Sequence, residues 1–191
     1  MPAAQTEALA FLASRRSVPP RLLTAPVPDR EALLAILTLA ARVPDHGILV
    51  PFRFVVLEAP ALLRIGDAIA RIGAEAGVED EKIAKARAVY ATSPLAVAVI
   101  ASPRESGKAP EIEQLHSAGS ACLQLLNAAS AAGWAAGWVT GWAAHDRRFL
   151  PSLLGLAGSE SVVGLVHIGT GPAQADRPRP DIPAITQWIE A

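Results

Sequence analysis

Two stretches, Leu95–Ala101 (LAVAVIA) and Ser161–Gly169 (SVVGLVHIG), place the tightest limit on what this chain can fold into. Each is a nearly continuous apolar run. A strand with one wet face alternates apolar and polar residues; these do not alternate, so both faces must be covered. Phe52–Glu58 (FRFVVLE) reads as a further strand, and Gly137–Thr140 as a short one. Helical periodicity runs through Thr6–Ala13, Asp29–Arg42, Ala61–Ala76, Glu79–Tyr90 and Glu111–Ala132. The last of these spans about 33 Å at the helical rise, enough to cross the centre of a domain. Asp29 is placed to cap its helix, with Pro28 closing the loop before it, and Asp146 is expected to open a helix that ends near Gly155.

Helices and buried strands alternate without a strict βαβ rhythm. That pattern predicts an α/β (α+β) fold in three layers, a sheet between helices. No repeat or linker divides residues 1–191, which read as a single domain. From Gly171 the tail GPAQADRPRPDIPAITQWIEA is too rich in proline for a regular helix or central strand before about Ala184. Residues 171–191 are expected to leave the core and pack on a second subunit.

Composition narrows the classes. Hydrophobic residues make up 51% and charged residues 18%, which calls for a large interior or an extensive subunit interface. A formal net charge of -1 argues against a general nucleic-acid binder. Cys122 is the only cysteine, so a disulfide or thiolate cluster is excluded, and it reads as a small buried hydrophobe. His116, His145 and His167 have no metal-ligand spacing. The N-terminus has no basic region before its apolar run and makes a poor signal peptide, so a cytoplasmic location is expected. Ser117–Ala144 has no charge and carries Gly133, Gly137 and Gly141 at the spacing of packed membrane helices. Ser117, Ser120, Gln124, Asn127, Ser130 and Thr140 within it favour a buried helix followed by a strand. No membrane span is expected.

Nucleotide-binding loops, nucleophile elbows and carboxylate clusters are all missing. What remains are two polar islands, SRRSVPPR and RVPDHG, a glycine–tryptophan stretch and a basic tail. In the first island, arginine forks and a serine hydroxyl suit an anion such as phosphate, and Pro19 and Pro20 stiffen the exit. The alternative is that the arginines complement a helix C-terminus, and composition alone leaves the two even. In the second island Pro44 turns the chain, setting Arg42 and His46 at a loop edge, while Asp45 has the makings of a local turn bond. Trp134, Trp138 and Trp142 recur every four residues, a core or interface stripe if helical; a strand after Gly137 would take Trp138 out of line.

Taken together, RRS, then ARVPDHG, then PFRFVVLE, resemble the nitroreductase family of flavin-dependent oxidoreductases, in its short single-domain NAD(P)H nitroreductase branch. The likeness continues through KAPEIEQ, AGSACLQLLNAASAAGW and the RPRP tail, and so covers nearly the whole chain. It implies the family's sandwich fold, a homodimer with FMN at the subunit interface, and NAD(P)H as reductant. Arg15, Arg16 and Ser17 would then contact FMN, with Arg42 and His46 reaching the flavin of the partner subunit. Trp138, Val139 and Thr140 would lie along the flavin ring, Val139 through its backbone, since relatives carry arginine there. Arg179, with Arg177 beside it, resembles the family's late phosphate-binding basic residues. Ala128, Ala129, Ser130, Ala131, Ala132 and Gly133 are the implied nicotinamide-cofactor contacts. The implied chemistry is ping-pong reduction of nitroaromatics, quinones or similar acceptors, with no catalytic side chain of the protein's own. A flavin-storage protein, or a same-fold flavin enzyme that dehalogenates or destroys flavin, are the alternatives.

Overall fold

The computed structural model describes residues 3–190. Its framework is a four-stranded sheet in the order β1–β2–β4–β3, every neighbouring pair antiparallel. The strands are β1 (Phe52–Glu58), β2 (Leu95–Ala101), β3 (Ala135–Val139) and β4 (Ser161–Gly169). The two apolar runs, β2 and β4, are the central pair. Along β2 the side chains of Leu95, Val97 and Val99 enter one core while Ala96, Ala98 and Ile100 enter another. This period-2 split of an all-apolar strand is what cover on both faces requires.

On one face lie α2 (Arg30–Ala40) and α5 (Glu111–Ala131), which bring Leu33, Ile36, Cys122 and Leu125 to the first core. On the other lie α3 (Ala59–Glu75), α4 (Asp80–Ala91), α6 (Trp142–His145) and α7 (Leu150–Leu153), with Leu62, Ile69, Tyr90 and Leu150 in the second core. The fold is the three-layer helix–sheet–helix sandwich the sequence implies. Burial pushes the Cys122 thiol up to about 12, consistent with an inert core residue.

Local signals set most boundaries. Asp29 accepts the Ala32 N–H at 2.9 Å and caps α2. Pro60 sits in the first turn of α3, where its missing N–H is harmless. Asp146 does not open a helix: its carboxylate accepts the Arg148 N–H at 3.0 Å and pairs with the Arg148 guanidinium, and the helix starts only at Leu150. The residues just before Asp146 form the short α6, which sequence periodicity does not predict. β3 likewise begins at Ala135 rather than Gly137.

Two parts of the chain gain little from this core. The first helix, α1 (Thr6–Ser14), buries no residue. The tail makes only a short 3-10 turn at Pro183–Ile185, and Trp188 and Ile189 are 85% and 88% exposed. Among the described residues, no helix is long and apolar enough to cross a membrane.

Candidate functional site

The first island leaves α1 and runs along the outer edge of β3. Val18 donates its N–H to the Ala136 carbonyl at 2.8 Å, and Thr24 and Thr170 exchange N–H···O bonds at 2.8 and 2.9 Å. This edge pairing depends on Gly137: a Cβ there would collide with the Val18 carbonyl oxygen. Gly164 plays the same part for Trp138, whose indole occupies the place a Cβ at 164 would need. Trp138 remains 37% exposed.

The side chains of the island gather with the tail. Arg16 donates to the Ala175 carbonyl and lies 3.7 Å from the Asp176 carboxylate, which also accepts from Arg179 at 3.2 Å. Arg15 donates to the Ser17 hydroxyl at 3.5 Å. Burial, then the neighbouring Arg179 and Arg16, push the Arg15 guanidinium below its ordinary value. Three guanidiniums less one carboxylate leave two positive charges on one small surface. The backbone N–H of Arg177, helped by Arg179 and Arg16, holds the Asp176 carboxyl below its usual range. The structure therefore brings together Arg15, Arg16, Ser17 and Arg179, with Trp138 close by on the strand that supports them. Asp176 belongs to this group and was not singled out in the sequence. Its only signal there was its place between the alanine and arginine of QADRPRP.

Arg42 and His46 are not part of that cluster, and no hydrogen bond or ion pair joins the two islands among the described residues. The second island stands on the first turns of α5, whereas β3 departs from the last. Ser117 Oγ donates to the Pro44 carbonyl at 2.7 Å, and His46 Nδ1 lies 2.7 Å from Glu113 Oε2. Asp45 makes the local turn bonds its sequence suggested, accepting the Leu49 and Val50 N–H groups at 3.0 and 2.8 Å. Arg42 is exposed beyond the end of α2.

Of the six nicotinamide-cofactor candidates, Ala128 and Ala129 are buried in the first core. Ser130 donates its hydroxyl to the Leu126 carbonyl at 2.9 Å, and Ala131, Ala132 and Gly133 are exposed at the helix end. Thr140 borders a cavity of about 220 Å³ lined by Tyr90, Gly141 and Trp142. The lysines at its rim, Lys82 and Lys85, are paired with Glu79 and Glu81.

Two other polar groups are structural. Arg53 grips Glu160 with two bonds of 2.6 and 2.8 Å, and Arg147 donates to the Glu160 and Ala157 carbonyls. Every charge there is partnered, which fixes the loop entering β4. His167 is fully buried with both ring nitrogens unbonded among the described residues, and burial lowers it to about 4. It is therefore a neutral imidazole at neutral pH, packed against the Tyr90 ring. Among the described residues there is no cluster able to hold a metal ion.

A sequence model of the nitroreductase family matches residues 12–170. A Haemophilus influenzae protein named "Putative NAD(P)H nitroreductase" is 35% identical over 172 residues, spanning 90% of this chain and 92% of its own. Among solved structures, a nitroreductase-like family protein from Bacillus cereus superposes with a TM-score of 0.80 at 20% identity, covering 100% of both chains. A Bacteroides fragilis nitroreductase with bound FMN has a TM-score of 0.71 at 23% identity, over 97% of this chain and 99% of that one.

Proposed function

The chain belongs to the nitroreductase family, and from that premise we propose that it is an FMN-dependent NAD(P)H oxidoreductase that works as a homodimer on small aromatic acceptors. The observation that carries the reading is the surplus of two positive charges among Arg15, Arg16, Arg179 and Asp176. A phosphate monoester near neutral pH has the complementary charge and acceptor oxygens for guanidinium forks. The residues fit FMN in a second respect. Gly137 lets the island backbone lie directly on β3, and Gly164 leaves room for the Trp138 indole, an aromatic group that a planar ring could pack against.

In this reading Arg15, Arg16, Ser17 and Arg179 hold the phosphate and orient the cofactor, and Trp138, Val139 and Thr140 line the ring. FMN supplies the two-electron chemistry, accepting electrons from NADH or NADPH and passing them to a nitroaromatic or quinone. The protein's part is to bind, to orient and to offer positive charge where the ring gains negative charge on reduction. Arg42 supplies that charge from the partner subunit, and His46 reaches the same flavin beside it. Ala131, Ala132 and Gly133 are the exposed part of the proposed nicotinamide-cofactor contact.

Support for the dimer comes from apolar surface this chain leaves uncovered. Leu9 and Leu12 of α1, Leu123 of α5, and Trp188 and Ile189 of the tail are all exposed. Surface of that kind on several elements marks a subunit interface. The same observation supports a tail, residues 171–191, that packs on the partner. The cytoplasm is the proposed location.

The test is the visible spectrum of the purified protein with FMN, before and after anaerobic addition of NADH or NADPH. Bound flavin that bleaches with either supports the proposal. Bound flavin that bleaches with neither points to flavin storage, and failure to take up FMN rejects the reading.

A further inference from the structure

The chain leaves the second island through Gly47–Pro51 and enters β1. Within this short connection Ile48 has φ 55° and Val50 φ 47°. Two β-branched residues in the left-handed region are genuine outliers, since their Cβ crowds the backbone carbonyl there. Strain of this kind persists only where the surroundings impose it. Here the Asp45 carboxylate holds the Leu49 and Val50 N–H groups at 3.0 and 2.8 Å, and the Asp45 carbonyl accepts the Ile48 N–H at 3.2 Å. Ser117 and Glu113 then tie Pro44 and His46 to α5.

The clamp holds an isoleucine in water. Ile48 is 86% exposed, and Val50 beside it is also exposed. The Asp45 clamp accounts for the strain, but no packing inside this chain covers the side chain it presents. Ile48 is two residues from His46, at most about 7 Å of extended chain. On the reading given above, His46 reaches the flavin site of a second copy, and Ile48 arrives there with it.

We propose that Ile48 is a specificity-determining residue, supplied in trans, that forms the apolar wall against which an aromatic acceptor packs in the partner's flavin site. Val50 backs that wall. The inference rests on the FMN-homodimer reading and adds to it the residue that selects planar apolar acceptors over small ionic ones.

The experiment compares the FMN-loaded wild-type protein with Ile48→Gly and Ile48→Val, using nitrobenzene and ferricyanide as acceptors. Glycine removes the wall and relieves the left-handed strain; valine keeps both. The ratio of kcat/KM for nitrobenzene to that for ferricyanide is expected to fall about tenfold in Ile48→Gly, mainly through KM. The same variant should melt at a higher temperature, and Ile48→Val should recover most of the ratio. An unchanged ratio in flavin-replete Ile48→Gly overturns the inference and leaves the FMN reading intact. A ratio that is unchanged while the dimer dissociates assigns Ile48 to subunit packing, which also overturns it. A wild-type chain that takes up no FMN defeats the reading and the inference together.

Discussion

Around Arg15–Ser17 the chain provides its own support: a backbone bond to β3, a glycine beneath the carbonyl of Val18, and an aspartate from the tail among the arginines. Around Arg42–His46 it provides rigidity without cover. The loop is tied to α5, but it presents an arginine, a histidine and a strained isoleucine to solvent. The first island is a supported cluster of arginines, the proposed seat for an anion. The second is a tethered projection, and in the proposed dimer its partner is the other chain. Two polar stretches of similar length, each following a helix, thus differ in support, as the proposed shared site requires of its two ends.

Acid should expose the difference most strongly. His167 is the cross-strand neighbour of Gly137, directly under the first island. Its folded value of about 4 lies below the ordinary 6.5, so the unfolded chain binds the proton first. Its stability contribution is complete above about pH 6.5 and falls as pH drops towards 4, by roughly 3 kcal/mol over that window. Tyr90, pushed up to about 12 by burial, does not titrate there. Thermal melts of wild type and His167→Leu across pH 4 to 7 should show this slope in the first and a much flatter line in the second.

Gly137→Ala attacks the seat directly. Its Cβ meets the backbone of Val18, which cannot step aside as a side chain would, so a loss of about 1–3 kcal/mol is expected. FMN retention should fall with it, read as the flavin-to-protein absorbance ratio after gel filtration. Arg15→Ala should leave the fold intact and weaken FMN by about 1.5–3 kcal/mol, the worth of a charged hydrogen bond, with riboflavin much less affected. Asp45→Asn touches only the second island. It removes one acceptor from the clamp and relaxes the strain at Ile48 and Val50, so its effect on the melt should be the smallest, about 1 kcal/mol or less.

Which parts of the molecule were legible in sequence follows from the range of the interactions. β2 and β4 were readable because burial on both faces leaves an apolar run, and α2 because Asp29 caps within three residues. α6 was not: four residues carry no period, and Trp142 reads equally well as part of an aromatic stripe. The helix expected from Asp146 failed because the aspartate found a nearer cation in Arg148. At the site, the arginines and the histidine stand out as residue types, whereas Gly137 and Asp176 act through contacts with chain far away in sequence. Ile48 gives no signal at all, since its φ is imposed by Asp45 and its exposure by a loop anchored on α5. Nothing in the structure explains Arg21, exposed on the 3-10 turn Pro20–Leu22.

Hybrid dimers test whether one flavin site joins the first island of one chain to the second island of another. Arg15→Ala and Arg42→Ala chains, each tagged differently, are co-expressed and the mixed dimers isolated. Sites shared between chains put both defects in one site and leave the other whole. One tightly bound FMN per hybrid dimer is expected, where each parental homodimer binds weakly. Hybrids that bind as weakly as their parents at both sites would show that each site is built within a single chain, and would contradict the shared site.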